Sequence, residues 1–234
     1  MVPSHLSRAL RGLIVAFSLT FVLAVTVFAQ ERAANEPGRF DFYVLALSWS
    51  PSYCASVKER ANERLIRAND MQCGARPYAF VVHGLWPQYE HGFPSSCQKP
   101  APRIDRRLVD DMLDLMPSPR LVYLEWDRHG TCSGLDARGY FEAVRKARAL
   151  VKVPVDYLEL SSPATVAPSE VAEAFVKANP GLPRGAVAVT CDRTRLTEVR
   201  VCLNKDFSFR NCAEVVQRAC QLEKVAMPAV RAGG

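Results

Sequence analysis

The chain has 234 residues, which is enough for one sizeable domain and too few for two large ones. Hydrophobic residues make up 49% and charged residues 23%, values that are ordinary for a globular protein and that exclude a wholly disordered chain. The formal net charge of +6 suits an acidic partner such as RNA, although many basic proteins bind no such partner.

Residues 1–29 have the features of a secretory signal peptide. Arg8 and Arg11 give a positive start, and the apolar run 13–28 ends in small residues suited to cleavage. We therefore expect an exported protein, periplasmic or secreted, whose mature part is the single domain 30–234. We expect no membrane attachment once the signal is removed. An uncleaved membrane anchor is the alternative, but the run is short for a span, which needs about 20 apolar residues.

All eight cysteines lie in the part of the chain that would remain after cleavage. An even number of cysteines in an exported chain predicts four disulfides, although their pairing cannot be read from spacing. No CxxC pair occurs, so a zinc site built from cysteine is not expected.

The first part of the mature chain predicts a strand followed by a charged segment. The stretch 40–49 is rich in aromatic and aliphatic residues and predicts a central strand that Ser50 and Pro51 end. Trp49 could be a core or a site residue, and core packing is the favoured interpretation. The charged stretch 58–69 is typical of a solvated loop or a short helix between two cysteines.

Helical patterns follow further along the chain. Apolar spacing predicts a short helix over 107–116, and Asp136 is a suitable N-cap for a helix over 137–151. A third helix is expected to begin at 168–170 and to end before 179–181. In the second helix, the residues expected to face the core are Tyr140, Phe141, Val144, Ala147 and Leu150.

The end of the chain predicts two more strands and a loose terminus. The strands are expected at 187–191 and 199–203, where they could form a hairpin, and residues 227–234 have the composition of a frayed end. Strands precede, interleave with and follow helices without a regular alternation. We therefore expect an α+β protein with a central, largely antiparallel sheet that is flanked by helices and stapled by disulfides.

Two segments carry the residue types of acid–base chemistry. The first reads LEWDRHGTC, and its Glu125, Arg128 and His129 are expected to share one face of a helix because they are three and four residues apart. The second reads FVVHGLWPQ and alternates like a strand up to His83. An acid, a cation and imidazoles held together could move protons and stabilise an anion.

The sequences HGLWP at 83–87 and EWDRHGTC at 125–132 resemble the two signatures of the ribonuclease T2 family, exported endoribonucleases of little base specificity. The resemblance covers essentially the whole mature chain, from FYVLALSWSPSYC near its start to CLNK at Cys202. Two long motifs in the right order behind a signal peptide form a specific combination, whereas a lone HG pair would indicate nothing.

The resemblance implies cleavage of single-stranded RNA by transphosphorylation. A base removes the proton of the 2′-OH, this oxygen attacks phosphorus, and protonation of the 5′-oxygen releases a 2′,3′-cyclic phosphate end; DNA lacks the nucleophile. By resemblance, His129 is the general base and His83 the general acid. Glu125 and Arg128 would orient His129 and stabilise the phosphorane. RNA is the expected partner of a monomer, and no metal or other cofactor is expected.

Base contact is implied for Trp86, which would stack on a base, and Gln88 and Tyr53 are further candidates for the base pocket. The chain departs from the family pattern at three positions. Arg128 stands where lysine is usual, and we expect its role to survive with a different geometry. Leu124 stands where some members carry a third histidine that contacts phosphate. Gln88 stands where other members have aspartate or asparagine, so the base preference stays open.

The resemblance also implies a disulfide pairing. The implied bonds are Cys97–Cys132, Cys202–Cys212 and Cys191–Cys220, with Cys54–Cys73 as the remaining pair. The first of these would tie the loop after one signature to the helix that carries the other, and so fix the distance between the two histidines.

Two other functions could use the same residues. Glu125, His83 and His129 could form a metal site of two histidines and one carboxylate, but Arg128 would repel the cation. The chain could also be an exported RNA-binding protein that kept the fold and lost catalysis, which the presence of all four polar residues disfavours.

Overall fold

The computed structural model describes residues 35–60, 70–74 and 76–230. The predicted signal peptide, most of the charged stretch 58–69 and the last four residues lie outside this described part. The described residues from Pro37 onward belong to one compact unit.

The strands of the described residues are β1 (Phe42–Trp49), β2 (Phe80–Gln88), β3 (Ala164–Val166), β4 (Val187–Cys191), β5 (Leu196–Leu203) and β6 (Val225–Met227). Four of them form one antiparallel sheet in the order β2–β1–β5–β4, and β3 pairs separately with β6. The first strand is thus central, and the predicted α+β class with an antiparallel sheet is confirmed.

The α-helices of the described residues are α1 (Ser50–Glu59), α2 (Asp70–Cys73), α3 (Arg106–Asp111), α4 (Pro119–Arg128), α5 (Ala137–Leu150), α6 (Pro168–Ala178) and α7 (Ala213–Gln217). Side chains of α5 and α6 join those of β1, β2, β4 and β5 in the main hydrophobic core.

The two faces of the sheet have different roles. On β1, Leu45, Leu47 and Trp49 face the main core, whereas Phe42 and Val44 belong to a smaller apolar cluster on the opposite face. Trp49 is fully buried, which confirms its interpretation as a core residue. The functional residues described below lie on the side of the smaller cluster.

Two segments of the described part are more regular than their sequence indicates. Ser50 and Pro51 end β1 as predicted, but they also begin α1, where the missing N–H of a proline in the first turn leaves no helical bond unmade. Near the other end, Met227 is fully buried in β6 and the Trp49 indole donates a hydrogen bond to Pro228 O at 3.1 Å. The prediction of a frayed terminus from 227 is therefore wrong as far as residue 230.

Local patterns located most helices well. Asp136 caps α5, since its Oδ1 accepts a hydrogen bond from Gly139 N–H at 2.7 Å. Leu150 was expected to face the core but is 43% exposed. It is the last residue of the helix and lies at the edge of the apolar stripe. The short helix predicted over 107–116 differs more. It corresponds to α3, which ends at Asp111, and Met116 is buried without continuing the helix.

Four disulfides cross-link the described residues. They join Cys54 to Cys73, Cys97 to Cys132, Cys191 to Cys220 and Cys202 to Cys212, which is the pairing that the family resemblance implies.

Candidate active site

His83 lies at an irregularity in β2. Ala46 pairs with Gly84, and the next residue of β1, Leu47, pairs with Val82, so His83 has no partner across the two strands. An extra residue of this kind bends its strand and re-aims a side chain, which is why bulges are common beside active sites.

The residue after His83 is a glycine, Gly84, and the Glu125 carboxyl lies so close to its backbone that a side chain would not fit there. A Cβ on Gly84 would lie 1.9 Å from Glu125 Oε2 and 2.5 Å from Trp86 Nε1. The space is used instead by a hydrogen bond of 2.8 Å that Trp86 Nε1 donates to Oε2. The order H-G-L-W therefore meets a packing need as well as a chemical one.

The segment LEWDRHGTC reaches the site at the end of α4. Ser118 caps the start of this helix by accepting from Leu121 N–H at 3.3 Å, and the helix ends at Arg128. His129 has φ −120° and ψ −43°, outside the helical range, although its N–H still donates to Glu125 O at 2.9 Å. Glu125 and Arg128 therefore lie on one helix as predicted, whereas His129 is the residue that caps the end of this helix.

Neighbouring segments hold this terminus in place. Ser96 N–H donates to Arg128 O at 2.8 Å, and Cys97 N–H donates to Thr131 Oγ1 at 3.1 Å. The Cys97–Cys132 disulfide joins the same two segments covalently. These contacts fix the end of α4 relative to the loop that follows β2.

A cavity of about 280 Å³ lies where the two segments meet. All of the predicted site residues except Tyr53 line it, namely His83, Trp86, Gln88, Glu125, Arg128 and His129. Tyr53 lies in a separate depression of about 90 Å³, to which His83 also contributes. His83 therefore stands between two concave regions.

The wall of this cavity also contains residues to which the sequence patterns assign no role in the chemistry. Phe93 and Leu124 are exposed apolar residues in it. Three arginines line the wall, namely Arg128, Arg200 and Arg218, together with the carboxyl groups of two glutamates. This excess of positive charge suits an anionic ligand.

The Trp86 indole contacts both imidazoles. Its centroid lies 5.4 Å from that of His83, with the rings nearly perpendicular, and 5.3 Å from that of His129, with an interplanar angle of 30°. The Arg200 guanidinium carbon lies 5.0 Å from the same indole. Because one ring touches both histidines, His83 and His129 belong to one site.

Glu125 is 2% exposed and contacts the segment FVVHGLWPQ, not the His129 imidazole. Its Oε2 accepts from Trp86, and its Oε1 lies 3.7 Å from His83 Nε2. Among the described residues, no hydrogen bond joins this carboxyl to the His129 ring, so the expected orienting contact is not formed. Spacing along the helix suggested that contact, but the packing of α4 on β2 decides where the carboxyl points.

Glu198 on β5 is the main residue that sequence reasoning missed. Its Oε1 forms a short hydrogen bond with His83 Nδ1, and its Oε2 accepts from Arg200 Nε at 2.9 Å and Nη2 at 2.8 Å. The strand was predicted to begin at Val199, which left Glu198 outside it. The available signal was a charged pair alternating with Val199 and Val201, because charges are unusual in a strand with neighbours on both sides.

The environment of His83 favours its protonated form. Burial lowers the pKa of His83, but the hydrogen bond and charge of Glu198, together with the charge of Glu125, outweigh burial and leave the pKa above its usual value. Burial raises the pKa of Glu198, yet the hydrogen bond and charge of His83 and the charge of Arg200 lower it to about 2. Both shifts favour an imidazolium bound to a carboxylate.

The environment of His129 favours its neutral form. Burial, followed by the charges of Arg128 and His83, lowers the pKa of His129 to about 3. Its Nδ1 is buried and has no hydrogen-bond partner within the described part of the protein. Burial raises the pKa of Glu125 to about 7, against the charge of His83 and the hydrogen bond from Trp86.

The two weaker candidates for base contact lie in different surroundings. Gln88 is 8% exposed, and its Nε2 donates to Gly92 O at 2.8 Å, which fixes the amide at the cavity. Tyr53 is 36% exposed on α1, in the depression on the far side of His83.

Neither a metal site nor a membrane span is formed by the described residues. No group of three histidine, cysteine, aspartate or glutamate side chains has the arrangement of a metal site there. No helix in that part of the chain combines the length and apolar composition needed to cross a bilayer.

Known proteins resemble both the sequence and the fold. The model of the ribonuclease T2 family matches residues 40–212. A ribonuclease of Aeromonas hydrophila is 35% identical over 207 residues, which are 86% of this chain and 89% of that protein.

Solved structures share the fold at lower identity. Trichomaglin, described as an S-like ribonuclease, aligns with a TM-score of 0.64 at 21% identity, over 83% of this chain and all of its own. RNase NT in complex with 5′-AMP aligns with a TM-score of 0.55 at 20% identity, over 81% of this chain and 98% of its own.

Proposed function

Because the chain belongs to the ribonuclease T2 family, we propose that it cleaves single-stranded RNA by transphosphorylation, with little base specificity and without a metal. The products are 2′,3′-cyclic phosphate ends. The proposal also includes export after removal of residues 1–29, action as a monomer, and no cleavage of DNA.

One observation carries this proposal: two histidines line one cavity, and their surroundings shift their pKa values in opposite directions. Glu198 and Glu125 favour the protonated form of His83, and burial and Arg128 favour the neutral form of His129. A reaction that must remove one proton and deliver another needs such a pair at a single pH.

The roles follow from these states. Neutral His129 accepts the proton of the 2′-OH, and this oxygen attacks phosphorus. Protonated His83 gives its Nε2 proton to the departing 5′-oxygen. After one turnover His129 is protonated and His83 is neutral, so exchange with solvent restores both. Each such group typically contributes about 10²–10⁴ in rate.

Charge on the pentavalent phosphorane requires stabilisation by neighbouring groups. Arg128 is exposed at the cavity and forms no ion pair among the described residues, so its guanidinium is available to a phosphate oxygen. Glu125 acts on the acid side of the site, because its carboxyl is near His83 Nε2 and braces Trp86.

Base contact is proposed for Trp86 and Gln88, which line the cavity, and for Tyr53 in the neighbouring depression. Trp86 is only partly buried, and stacking of a base on an indole is worth about 1–3 kcal/mol and tolerates any base. Because Arg200 and His129 already contact the ring, a base has to share it with them.

The test is an assay of the purified mature chain with RNA and with DNA, in EDTA, followed by analysis of the ends formed. We expect RNA to be cut to 2′,3′-cyclic phosphates and DNA to survive. The double variant His83→Ala/His129→Ala should be inactive. The matched control is His91→Ala, since the His91 side chain is 95% exposed and does not line the cavity.

Two results would contradict the proposal. RNA that binds but stays intact would indicate a silent RNA-binding protein of the same fold. Activity that disappears in EDTA and returns with a divalent cation would indicate metal chemistry.

A further inference from the structure

Beside His83 the structure contains a carboxylate and a guanidinium that the proposed reaction does not use directly. Glu198 bridges His83 Nδ1 and Arg200 by its two oxygens. Glu198 does not line the cavity and is 7% exposed, so it is out of reach of the substrate.

We propose that Glu198 is a positioning residue for the proton donor: it binds the Nδ1–H of His83, so that Nε2 faces the reacting oxygen, and Arg200 holds the carboxylate in place. This inference rests on the proposed function, because it assigns Glu198 to the acid half of that reaction.

The geometry separates the two nitrogens of His83. Nδ1 is bound to the Glu198 carboxylate, which can only accept a hydrogen bond, so Nδ1 carries hydrogen whether the ring is charged or neutral. Nε2 points the other way, 3.7 Å from Glu125 Oε1 at the cavity. The proton that leaves the ring during the reaction is therefore the one on Nε2, and Glu198 stays ionised throughout.

Arg200 keeps Glu198 from turning away. The guanidinium binds Glu198 Oε2 through two nitrogens, a fork that fixes the plane of the carboxylate. Both residues lie on β5 two positions apart, so the strand presents them on the same face. The rigid central sheet thus sets the orientation of an imidazole that itself sits in an irregular part of β2.

The protonation of His83 depends on every charge around it. The titratable or charged groups that face it are Glu198 and Arg200 from β5, Glu125 from α4, His129 beyond α4 and Tyr53 from α1. Of these, only Glu198 binds the ring directly and raises its pKa by both a hydrogen bond and a charge. Loss of the Glu198 charge should therefore lower the His83 pKa most.

The test compares Glu198→Gln with the wild-type chain by NMR titration of the His83 ring and by kinetics. The variant should titrate at lower pH, and the alkaline limb of its kcat/KM profile should move to lower pH by the same amount. On RNA, kcat should fall about 10–100-fold, less than the roughly 10²–10⁴ lost with the acid itself, while KM stays within about twofold.

A substrate with an activated leaving group distinguishes positioning from a general structural role. The 4-nitrophenyl ester of uridine 3′-phosphate releases nitrophenolate without protonation, so Glu198→Gln should lose much less activity on this ester than on RNA. Equal losses on both substrates, or an unchanged His83 titration, would overturn the proposal.

Two further variants complete the design. Glu59→Gln removes an exposed carboxylate from Arg195, just before β5, and should match the wild type in every readout. Glu198→Asp keeps the charge on a shorter side chain and should give shifts of the same sign but smaller size; it carries the test if Glu198→Gln does not fold. If the wild-type chain leaves RNA intact, the proposed function fails, while the titration still decides whether Glu198 controls His83.

Discussion

The two imidazoles of the cavity differ more in their surroundings than in their positions. His83 lies on a strand between two carboxylates and keeps 35% of its side chain exposed. His129 lies at a helix terminus and is 7% exposed; the charge of Arg128 opposes its protonation, and its Nδ1 has no partner among the described residues. The first environment raises a histidine pKa, and the second lowers it to about 3.

In the proposed reaction, the donor and acceptor of a proton are distinguished by their neighbours, not by residue type. Each signature segment contributes one histidine, and neither segment alone says which state its imidazole adopts. For His83, the decisive neighbour comes from β5, about 115 residues away in sequence. Each experiment below alters one side of this contrast.

The largest effect is expected from removing one imidazole at a time and varying the leaving group. His83→Ala should lower kcat/KM on RNA by about 10²–10⁴, but much less on a nitrophenyl ester, whose leaving group needs no proton. His129→Ala should lose a similar factor on both substrates, because the 2′-OH must be deprotonated in either case. Initial rates at matched pH measure both ratios.

Circular dichroism and thermal unfolding of each variant separate loss of chemistry from loss of fold. If His129→Ala, instead of His83→Ala, recovered its rate on the ester, the acid and base assignments would have to be exchanged.

The contrast also shows which parts of the site can be predicted from the sequence. Glu125 and His129 were placed together by helical spacing, and His83 by alternation in a strand, because both patterns are local. The orientation of the Glu125 carboxyl toward His83 was missed, since it depends on how α4 packs against β2. Glu198 was missed because it becomes a neighbour of His83 only through the strand order of the sheet.

The fold follows the same division. α5 and α6 were predicted to within a residue, since an N-cap or a proline marks each start and a contiguous apolar stripe continues from it. The helix over 107–116 was overextended because apolar residues beyond Asp111 are buried in turns. The composition of the final segment predicts a loose end, because nothing local reveals that β6 pairs with β3.

A smaller effect is expected from removing the Cys97–Cys132 disulfide, which holds the segment that carries His129. The Cys97–Cys132 bond spans 35 residues and Cys191–Cys220 spans 29, so loop closure should make their loss about equally destabilising, roughly 2–4 kcal/mol each. Replacing Cys97 and Cys132 by serine should in addition lower kcat by up to about 10²-fold, because a shift of about 1 Å at the end of α4 misplaces His129.

The matched double variant Cys191→Ser/Cys220→Ser should unfold at a similar denaturant concentration and keep kcat within about twofold. Activity losses that simply follow the stability losses in the two variants would show that Cys97–Cys132 has no special role in the site.

The most direct measure of the contrast is the pH dependence of stability, whose effect is small for each pH unit. A folded pKa of about 3 for His129, against about 6.5 unfolded, means that the unfolded chain binds the proton more readily between these values. Wild-type stability from this group is therefore present above pH 6.5 and is lost as the pH falls, by at most about 1.4 kcal/mol for each pH unit. His129→Asn should abolish that loss.

His83 should behave in the opposite sense. Its folded pKa is raised, so its stabilising contribution is present below the unfolded value of about 6.5 and is lost as the pH rises through the folded pKa. Urea unfolding of the wild type, His83→Asn and His129→Asn at several pH values between 4 and 8 gives two difference curves. Their slopes should have opposite signs, and slopes of the same sign would mean that the two imidazoles do not lie in opposite electrostatic environments.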